Sequence, residues 1–362
     1  MAKNLIIASA NLEHWVQAGG TMIDGRVRQP RDFQSKLAWA KHLFGSIKPD
    51  VVAMQEIYDR SIEEVFTGLG NYQFRYSGGA PQQVAIATTL DFVDDPLMVQ
   101  NLRNPVEIDR DGLKLKVDKL SRPILRARLN HEGQTLTVFV AHLKSKIPSY
   151  GDDPKKTYPE EDLATADFTR RPIGHLVSLV RRAAEAVALR AEIVREATEF
   201  PDRPIVVCGD LNDNTGAVTT DMVIGDSMRT FIENKPQPGP ALANIFARLH
   251  QYLFTSTQEA HLRASTQSEF PTAVHEGRFS TLDHVFLSRH FFSKPRAVEG
   301  QFTQAYFFNY YEVANDHLVD DGSPFAPRKP ETSDHGVVFA YCRKNDAPSP
   351  AALCQPSDLS LA

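Results

Sequence analysis

The sequence predicts an α/β fold in which helices cover the outer faces of largely buried β-sheets. Short apolar runs rich in β-branched residues recur along the chain and end at polar or glycine-containing turns, which is typical of strands buried on both faces. Near the N-terminus these runs alternate with segments of helical apolar spacing, an order that places helices against a sheet. No linker-like break or internal repeat interrupts the pattern, so we expect one domain over residues 1–343.

Composition excludes several classes of protein. The 362 residues are 42% hydrophobic and 23% charged, close to the average of globular proteins. A formal net charge of −5 argues against bulk attraction of polyanions, so a nucleic-acid contact would need a local basic patch. The sequence holds no apolar run long enough to span a membrane. Three cysteines without metal-ligand spacing indicate a reduced, cytoplasmic protein; secretion stays open for a chain whose signal peptide has been removed.

The first elements are predicted from apolar periodicity. Residues 4–10 read as a buried strand that ends at Asn11, and a helix follows whose apolar positions are spaced alternately four and three over residues 33–47. Residues 51–56 form a second buried strand with Glu56 at its tip. A shorter helix over residues 62–69 and two strands, at 73–77 and 84–88, complete this part.

The middle of the chain is predicted as a hairpin, a polar segment and a helix. Strands at residues 124–129 and 135–143 flank a turn, and the second strand brings His142 to its end. Residues 146–171 are polar and contain three prolines, so we expect a flexible insertion near the functional site. A long helix follows, with an apolar face predicted at Leu176, Val180, Ala183, Val187, Ala191 and Val194.

The C-terminal half is organised around one central strand. Residues 205–207 are apolar and β-branched, and Asp210 and Asn212 leave the end of this strand on the same side, because alternate residues of a strand share a face. Asp283 begins a later strand, and Asp334 and His335 precede the last one. We also expect a helix over residues 241–254 and a disordered tail over residues 344–362.

Polar residues therefore recur at the ends of apolar strands. Each one alone has an ordinary interpretation, such as a turn, a cap or a solvated charge. Gathered at one rim of a sheet sandwich, they would form a cleft lined by carboxylate and amide oxygens, which suit Mg²⁺ or Mn²⁺ better than a structural zinc ion. They are Asn11, Glu56, His142, Asp210, Asn212, Asp283, Asp334 and His335.

Six sequence segments that contain these residues resemble segments of a known family, the endonuclease/exonuclease/phosphatase superfamily, which has the fold of deoxyribonuclease I. In chain order they read SANLEHW, PDVVAMQE, VFVAHLKS, VVCGDLNDN, STLDHVFLS and TSDHGVV. They follow the order of the family and span residues 4–342. The resemblance implies a four-layer α/β sandwich, with two packed, mostly antiparallel mixed sheets between helices, and metal-dependent phosphoester hydrolysis.

The resemblance also implies roles for individual residues. Glu56 corresponds to the principal metal carboxylate, and Asn11 to its neighbour on the metal or on a phosphate oxygen. Asp210 would polarise the attacking water, and Asn212 would hold a non-bridging phosphate oxygen. Asp334 would approach the metal directly or through water.

The histidines and one further acid follow from the same resemblance. His335 corresponds to the histidine beside the scissile phosphate, with Asp283 as its orienting carboxylate. His142 matches the second histidine of the deoxyribonuclease I and sphingomyelinase branches, where it would assist the leaving oxygen; a histidine bonded to backbone at a sheet edge is the alternative. Glu13 falls where the apurinic-site endonuclease branch has an additional metal carboxylate, and it equally fits a loop charge.

These residues favour a Mg²⁺- or Mn²⁺-dependent phosphodiesterase, and the neighbouring cations favour DNA as its substrate. Lys144 and Lys146 follow His142, and Arg122 lies in SRPI, which resembles a stretch of deoxyribonuclease-like bacterial members. Solvated edge charges are the alternative for the two lysines. A sphingomyelin or inositol-phosphate esterase would need an exposed apolar hairpin, for which the aromatic residues 307–311 are the candidate. A catalytically inactive binding module would have lost site residues, and none is lost.

Overall fold

Two β-sheets packed face to face form the centre of the protein, as seen in a computed structural model. The structure describes residues 4–79, 82–110, 113–149, 160–225, 255–256, 271–275, 278–292, 304–318 and 331–345. Within these ranges the helices are α1 (Pro30–Ile47), α2 (Glu63–Phe66), α3 (Glu160–Glu199) and α4 (Val218–Ile224), with short 3₁₀ turns at Arg60–Ile62 and Arg289–Phe291.

The strands of the described residues are, in chain order, β1 (Asn4–Trp15), β2 (Val51–Ile57), β3 (Gln73–Tyr76), β4 (Gln83–Thr88), β5 (Asp91–Phe92), β6 (Leu97–Arg110), β7 (Leu113–His131), β8 (Gln134–His142), β9 (Ile205–Asp210), β10 (Thr255–Ser256), β11 (Ala273–His275), β12 (Arg278–Ser280), β13 (Asp283–Leu287), β14 (Tyr306–Ala314) and β15 (Val337–Lys344).

The strand order confirms the predicted pair of mixed sheets. The first sheet runs β14-β15-β1-β2-β4-β3, and the second runs β10-β13-β9-β8-β7-β5, with β6 paired to β7. Only β1 with β2 and β8 with β9 pair in parallel among the described strands of these sheets. The other pairs are antiparallel. A small hairpin, β11 with β12, lies apart from both sheets.

The alternation of side chains along each strand produces the four layers. In β1, Leu5 and Ile7 face the second sheet, whereas Ala8, Ala10 and Leu12 pack under α1. The outer face of the second sheet packs in the same way against α3, which covers residues of β8 and β9. Because the central strands are buried on both faces, they read in sequence as uninterrupted apolar runs.

Helix α3 departs from the prediction in its start and in its buried face. It begins at Glu160, so the C-terminal part of the segment predicted as a flexible insertion is helical. The predicted apolar face is wrong, because Leu176 and Val187 are about half exposed. The buried side carries Val177, Leu189 and Ile193 together with Ser178, Arg182, Glu185, Glu192 and Glu196.

Other elements differ in extent. Strand β1 continues past Asn11 to Trp15 through an irregular register with β2. Strand β6 and the first half of β7 form a long hairpin that the sequence reading did not predict. The predicted helix at residues 241–254 lies outside the described residues. The tail predicted as disordered from residue 344 starts too early, because Lys344 ends β15; its part beyond residue 345 lies outside the described residues. No helix among the described residues is long and apolar enough to cross a membrane.

Candidate active site at the rim of the two sheets

Three neighbouring strands of the second sheet bring their site residues to one rim. His142 ends β8, Asp210 ends β9, and Asp283 begins the antiparallel β13. Asp210 is in register with His142 on one side and with Asp283 on the other. The three side chains are nearly inaccessible to solvent. The structure therefore brings these three predicted residues of the second sheet together.

Gly209 makes this close packing of β8 and β9 feasible. Its φ angle is +155°, and a Cβ atom there would lie 1.9 Å from the carbonyl oxygen of Ala141. Any side chain at this position would push the strand that carries Asp210 away from the strand that carries His142. The glycine before the aspartate is thus a steric requirement of the site.

Asp283 and His335 form a buried pair across the two sheets. The Oδ2 atom of Asp283 lies 2.7 Å from Nδ1 of His335, which fixes the proton on Nδ1 as the donor of a hydrogen bond. Burial opposes a charged imidazole, but Asp283, Asp210 and Asp334 outweigh it and raise the pKa of His335 well above its usual range. His335 is therefore held as a cation with a fixed orientation.

Asp210 is the point at which the groups of both sheets converge. The side-chain amide of Asn11 donates to Oδ2 at 3.0 Å, and the backbone N–H of Asn212 donates to Oδ1 at 2.8 Å. The Nε2 atoms of His142 and His335 lie 3.4 and 4.0 Å from the same Oδ2. Burial raises the pKa of Asp210 to about 7, with Asp283 adding to the shift and His335 opposing it.

His142 differs from His335 in charge. Burial lowers its pKa well below the usual range, and Arg122 and His335 add to the effect, so the imidazole is neutral. Its Nε2 also lies 4.0 Å from Oε1 of Glu56. β8 lies between β7 and β9, and Nδ1 of His142 has no hydrogen-bond partner among the described residues, which argues against the alternative of a backbone-bonded histidine at a sheet edge.

The first sheet contributes an irregular turn of chain after Asn11. Glu13 and His14 have φ angles of 38° and 51°, and Glu56 has 60°. The backbone N–H of Glu13 donates to Oδ1 of Asn11 at 3.0 Å, and that of His14 donates to Oε2 of Glu56 at 3.0 Å. Asn212 also has a positive φ, so non-glycine residues in this sparsely populated conformation gather at the site.

Two buried cationic side chains donate hydrogen bonds to the backbone of this turn. Lys36 of α1 donates from Nζ to the carbonyl oxygen of Glu13 at 2.8 Å, and Arg28 donates to that of His14 at 3.1 Å. Burial lowers the pKa of Lys36 to about 8, although Glu13, Asp334 and Glu56 oppose that shift. The positive charge of Lys36 therefore lies within the electrostatic reach of all three carboxylates.

His14 lies at the site but was not predicted from the sequence. Its Nδ1 lies 2.8 Å from the hydroxyl of Tyr58, 3.3 Å from Oε2 of Glu56 and 3.4 Å from Nε2 of Gln82. The signal was its position directly after Glu13 in SANLEHW. Nothing local shows that this side chain turns toward Glu56, because the turn depends on positive φ angles that have no sequence signature here.

The three predicted substrate-binding cations lie around the same rim and contact protein groups. Arg122 donates to Oε1 of Gln82 at 2.7 Å, and Lys144 donates to the carbonyl oxygen of Ile147 at 3.3 Å. Burial lowers the pKa of Lys144 to about 8, and Arg122 adds to the effect. Lys146 pairs with Asp213 at 3.1 Å and is half exposed.

Sequence and structure comparisons agree with this arrangement. A family model described as the endonuclease/exonuclease/phosphatase family matches residues 16–335. The chain belongs to that family. Members of the endonuclease/exonuclease/phosphatase family are hydrolases that act on phosphodiester or phosphate ester bonds. No curated protein matches the sequence.

Solved structures show the same fold at low identity. An endonuclease/exonuclease/phosphatase from Bacteroides vulgatus is similar with a TM-score of 0.51 and 14% identity, over 95% of this chain and 100% of that one. TDP2 from Caenorhabditis elegans is similar with a TM-score of 0.50 and 13% identity, over 95% and 75%. TDP2 from D. rerio, solved with a single-strand DNA product, gives 0.50 and 12%, over 94% and 98%.

Enzymes of this family use divalent metal ions, and the side chains at the rim fit such an ion. One side-chain atom each from Asp210, Asp283 and His335 lies within 4.8 Å of the others; because His335 is held as a cation, the donors of this cluster are its two carboxylates. Glu56 adds a carboxylate within 4.0 Å of His142. The cluster offers hard oxygen donors, and its cysteine-free composition excludes a thiolate zinc site. The raised pKa of Asp210 reflects buried negative charge that a cation would offset.

Proposed function

We propose that the protein is a Mg²⁺- or Mn²⁺-dependent phosphodiesterase, and specifically a nuclease that hydrolyses DNA. The observation that carries the proposal is the pair of imidazoles on one carboxylate: neutral His142 and cationic His335 both direct Nε2 toward Oδ2 of Asp210. Hydrolysis of a phosphodiester needs an activated water, a positive charge beside the phosphate and a hydrogen-bond donor for the leaving oxygen. The arrangement supplies one group for each.

In this proposal Asp210 orients the attacking water and takes up its proton as the new P–O bond forms. The hydrogen bonds from Asn11 and from the backbone N–H of Asn212 orient this carboxylate for the transfer. His335, held as a cation by Asp283, stabilises charge on the phosphate oxygens. As the P–O bond to the leaving group breaks, Nε2–H of His142 donates a hydrogen bond to the departing oxygen, which leaves as an alkoxide and takes its proton from solvent water. Each positioned group of this kind contributes roughly 10²–10⁴-fold in rate.

Asn212 would hold a non-bridging phosphate oxygen. One N–H of its side-chain amide donates to the carbonyl oxygen of Leu143 at 3.0 Å, which fixes the amide plane and leaves the second N–H for the substrate.

Glu56, Glu13, Asn11 and Asp334 would hold the metal ion, which would supply a Lewis-acid charge on the phosphate oxygens. The amide of Asn11 already accepts from Glu13 and donates to Asp210. Asn11 would therefore offer the metal its remaining oxygen lone pair. Lys36 and Arg28 hold the turn that carries Glu13 and so fix its backbone before a metal binds.

DNA is the favoured substrate because cations flank the two histidines. Arg122, Lys144 and Lys146 lie beside His142 and Asn212, where the phosphates on either side of the scissile one would run. The D. rerio relative, solved with a single-strand DNA product, has the same fold. The lipid alternative has less support among the described residues: Tyr311 is buried and Phe308 packs on the core, so Tyr310, which is about half exposed and stacks on Tyr341, does not extend into an apolar surface with them.

The decisive experiment is cleavage by the purified protein with Mg²⁺, Mn²⁺ or EDTA. The substrates are plasmid, linear and single-stranded DNA, RNA, sphingomyelin and phosphoinositides. We expect DNA cleavage that EDTA abolishes and either metal restores, and a loss of at least 10²-fold in turnover for Glu56→Gln. Glu192→Gln is the matched control, because Glu192 is buried on α3, pairs with Arg103 and Arg195 and does not contact the site residues; it should keep parental turnover. Full activity in EDTA would refute the metal role, and cleavage of lipid head groups alone would refute the choice of DNA.

A further inference from the structure

A line of polar residues on helix α3 binds the backbone that follows His142. This polar stripe consists of His175, Ser178, Arg182 and Glu185, which lie on one face because they are spaced three, four and three apart. His175 contacts the carbonyl oxygen of Lys146 at 3.1 Å, and Ser178 donates to that of Ile147 at 2.6 Å. The described residues of this loop, 143–149, are thus fixed along the helix.

Glu185 contributes the contact closest to the site. Its Oε1 accepts the backbone N–H of Ser121 at 2.8 Å, and its Oε2 accepts that of Lys144 at 2.6 Å. The residue is 1% exposed. Hydrogen bonds from N–H groups to a carboxylate are short and strong, so one buried charge fixes the middle of β7 and the loop that follows β8. Arg122 is next to the first of these amides, and Lys144 carries the second.

Arg182 extends the same connection to the loop after β9. Its Nη1 donates to the carbonyl oxygen of Lys144 at 3.2 Å, and its Nε lies 3.5 Å from Oδ2 of Asp213. Asp213 follows Asn212 and also pairs with Lys146. Arg182 is buried as well. The loop after His142 and the loop that carries Asn212 therefore share one buried guanidinium.

Burying these charges is unfavourable for a helix that only has to cover a sheet. Replacing buried ionic groups by apolar residues of similar volume is often neutral or stabilising. Farther along the helix, Leu189 and Ile193 pack on the sheet, and the buried Glu192 and Glu196 pair with arginines. Arg182 and Glu185 instead bind backbone groups of β7 and of the loop beside the site. The placement of Arg182 and Glu185 is better explained if they position the backbone beside the site than if they only pack against the sheet.

We propose that Glu185 and Arg182 are positioning residues that set the wall of the phosphate groove formed by Arg122, Lys144 and Asn212. This inference rests on the proposed function. It predicts that the carboxylate of Glu185 acts on substrate affinity through the two backbone amides it binds. His142 itself stays in place, because β8 holds it in register with Asp210.

The test compares Glu185→Gln with Glu192→Gln. Glutamine at 185 keeps one acceptor but turns an NH₂ group toward a backbone N–H, so one of the two amides loses its partner. Glu192 is a matched control: it is buried on the same helix but pairs with Arg103 and Arg195, away from the two loops. KM and kcat are measured on a duplex substrate, and hydrogen exchange is followed at the amides of Ser121 and Lys144.

For Glu185→Gln we expect KM to rise about tenfold, kcat to stay within about threefold, and exchange at Lys144 to accelerate while the core of β8 stays protected. For Glu192→Gln we expect parental KM, kcat and Lys144 exchange. Unchanged KM and exchange in Glu185→Gln, or equal effects of both variants, would overturn the inference. If the parent cleaves no phosphodiester, the proposed function fails, and exchange at Lys144 still decides whether Glu185 holds the loop.

Discussion

Substituting the two histidines, singly and together, probes the proposed chemistry most directly. His142→Ala and His335→Ala each remove one imidazole from the vicinity of Oδ2 of Asp210. A positioned acid–base group contributes roughly 10²–10⁴-fold, and we expect a loss of about 10²-fold, or about 2.7 kcal/mol, for each variant. If the histidines acted independently, the double variant would lose about 10⁴-fold.

The geometry argues that they do not act independently. Both Nε2 atoms lie within 4.0 Å of one oxygen, and residues that share a partner show coupling of about 0.5–3 kcal/mol. We therefore expect the double variant to lose only about 10³-fold. Asp283→Asn should resemble His335→Ala but be milder, because the imidazole remains and only its orientation and charge preference are weakened.

The assay is single-turnover cleavage of a short DNA duplex at saturating enzyme and fixed Mg²⁺, across pH, for the parent and all four variants. Circular dichroism and thermal melting confirm that each variant is folded. Parental cleavage by His142→Ala would remove that histidine from the mechanism. A double variant that equals the product of the singles would refute the shared unit around Asp210.

Two further predictions concern stability and strand packing. Glu196 is 1% exposed and binds Arg128, Thr137 and Arg203; burial opposes its charge, but these partners lower its pKa from 4.5 to about 2. A carboxyl group whose pKa is lower in the folded state stabilises the fold at pH values above its unfolded-state pKa, and this stabilisation is lost as the pH falls toward the folded-state pKa. Glu196→Gln should therefore lower the free energy of unfolding by about 3 kcal/mol at pH 7 and by only about 1 kcal/mol at pH 3. Urea unfolding of both proteins over this range measures the difference, and a pH-independent difference would contradict the pKa argument. Gly209→Ala should abolish cleavage or prevent folding, because its Cβ would overlap the oxygen of Ala141. A folded, fully active Gly209→Ala protein would contradict the steric argument.

Features set by local sequence could be predicted. The buried strands around Ile7, Val52 and Val207 can be predicted because each is a continuous apolar run. The polar residue that ends each run marks the rim of its sheet. Once strand ends are known, Asn11, Glu56 and Asp210 follow, because neighbouring strand ends meet at the same edge. The resemblance of six segments then supplied the pairing of the two sheets, which periodicity alone does not determine.

Features set by distant partners could not be predicted in this way. Periodicity assigns Leu176 and Val187 to the buried face of α3, but Glu185 and Glu196 occupy that face because their partners are backbone amides and arginines from β7 and β8. Those partners are 41 to 70 residues away in sequence. The orientation of His14 likewise depends on Tyr58 and Gln82, at separations of 44 and 68 residues.

The groups around Asp210 come from both sheets, so the site depends on how the two sheets are aligned. Asn11 belongs to the first sheet and His335 precedes its strand β15, whereas Asp210, Asp283 and His142 belong to the second sheet; hydrogen bonds of 3.0 and 2.7 Å join the two sets. Sliding one sheet over the other by about an ångström would separate these atoms and leave the strand ladders intact, because no ladder bond among the described strands joins the two large sheets. The proposed cleavage should therefore depend on the alignment of the two sheets. Mild heat or denaturant that loosens the interface between the sheets should abolish activity before the secondary structure unfolds.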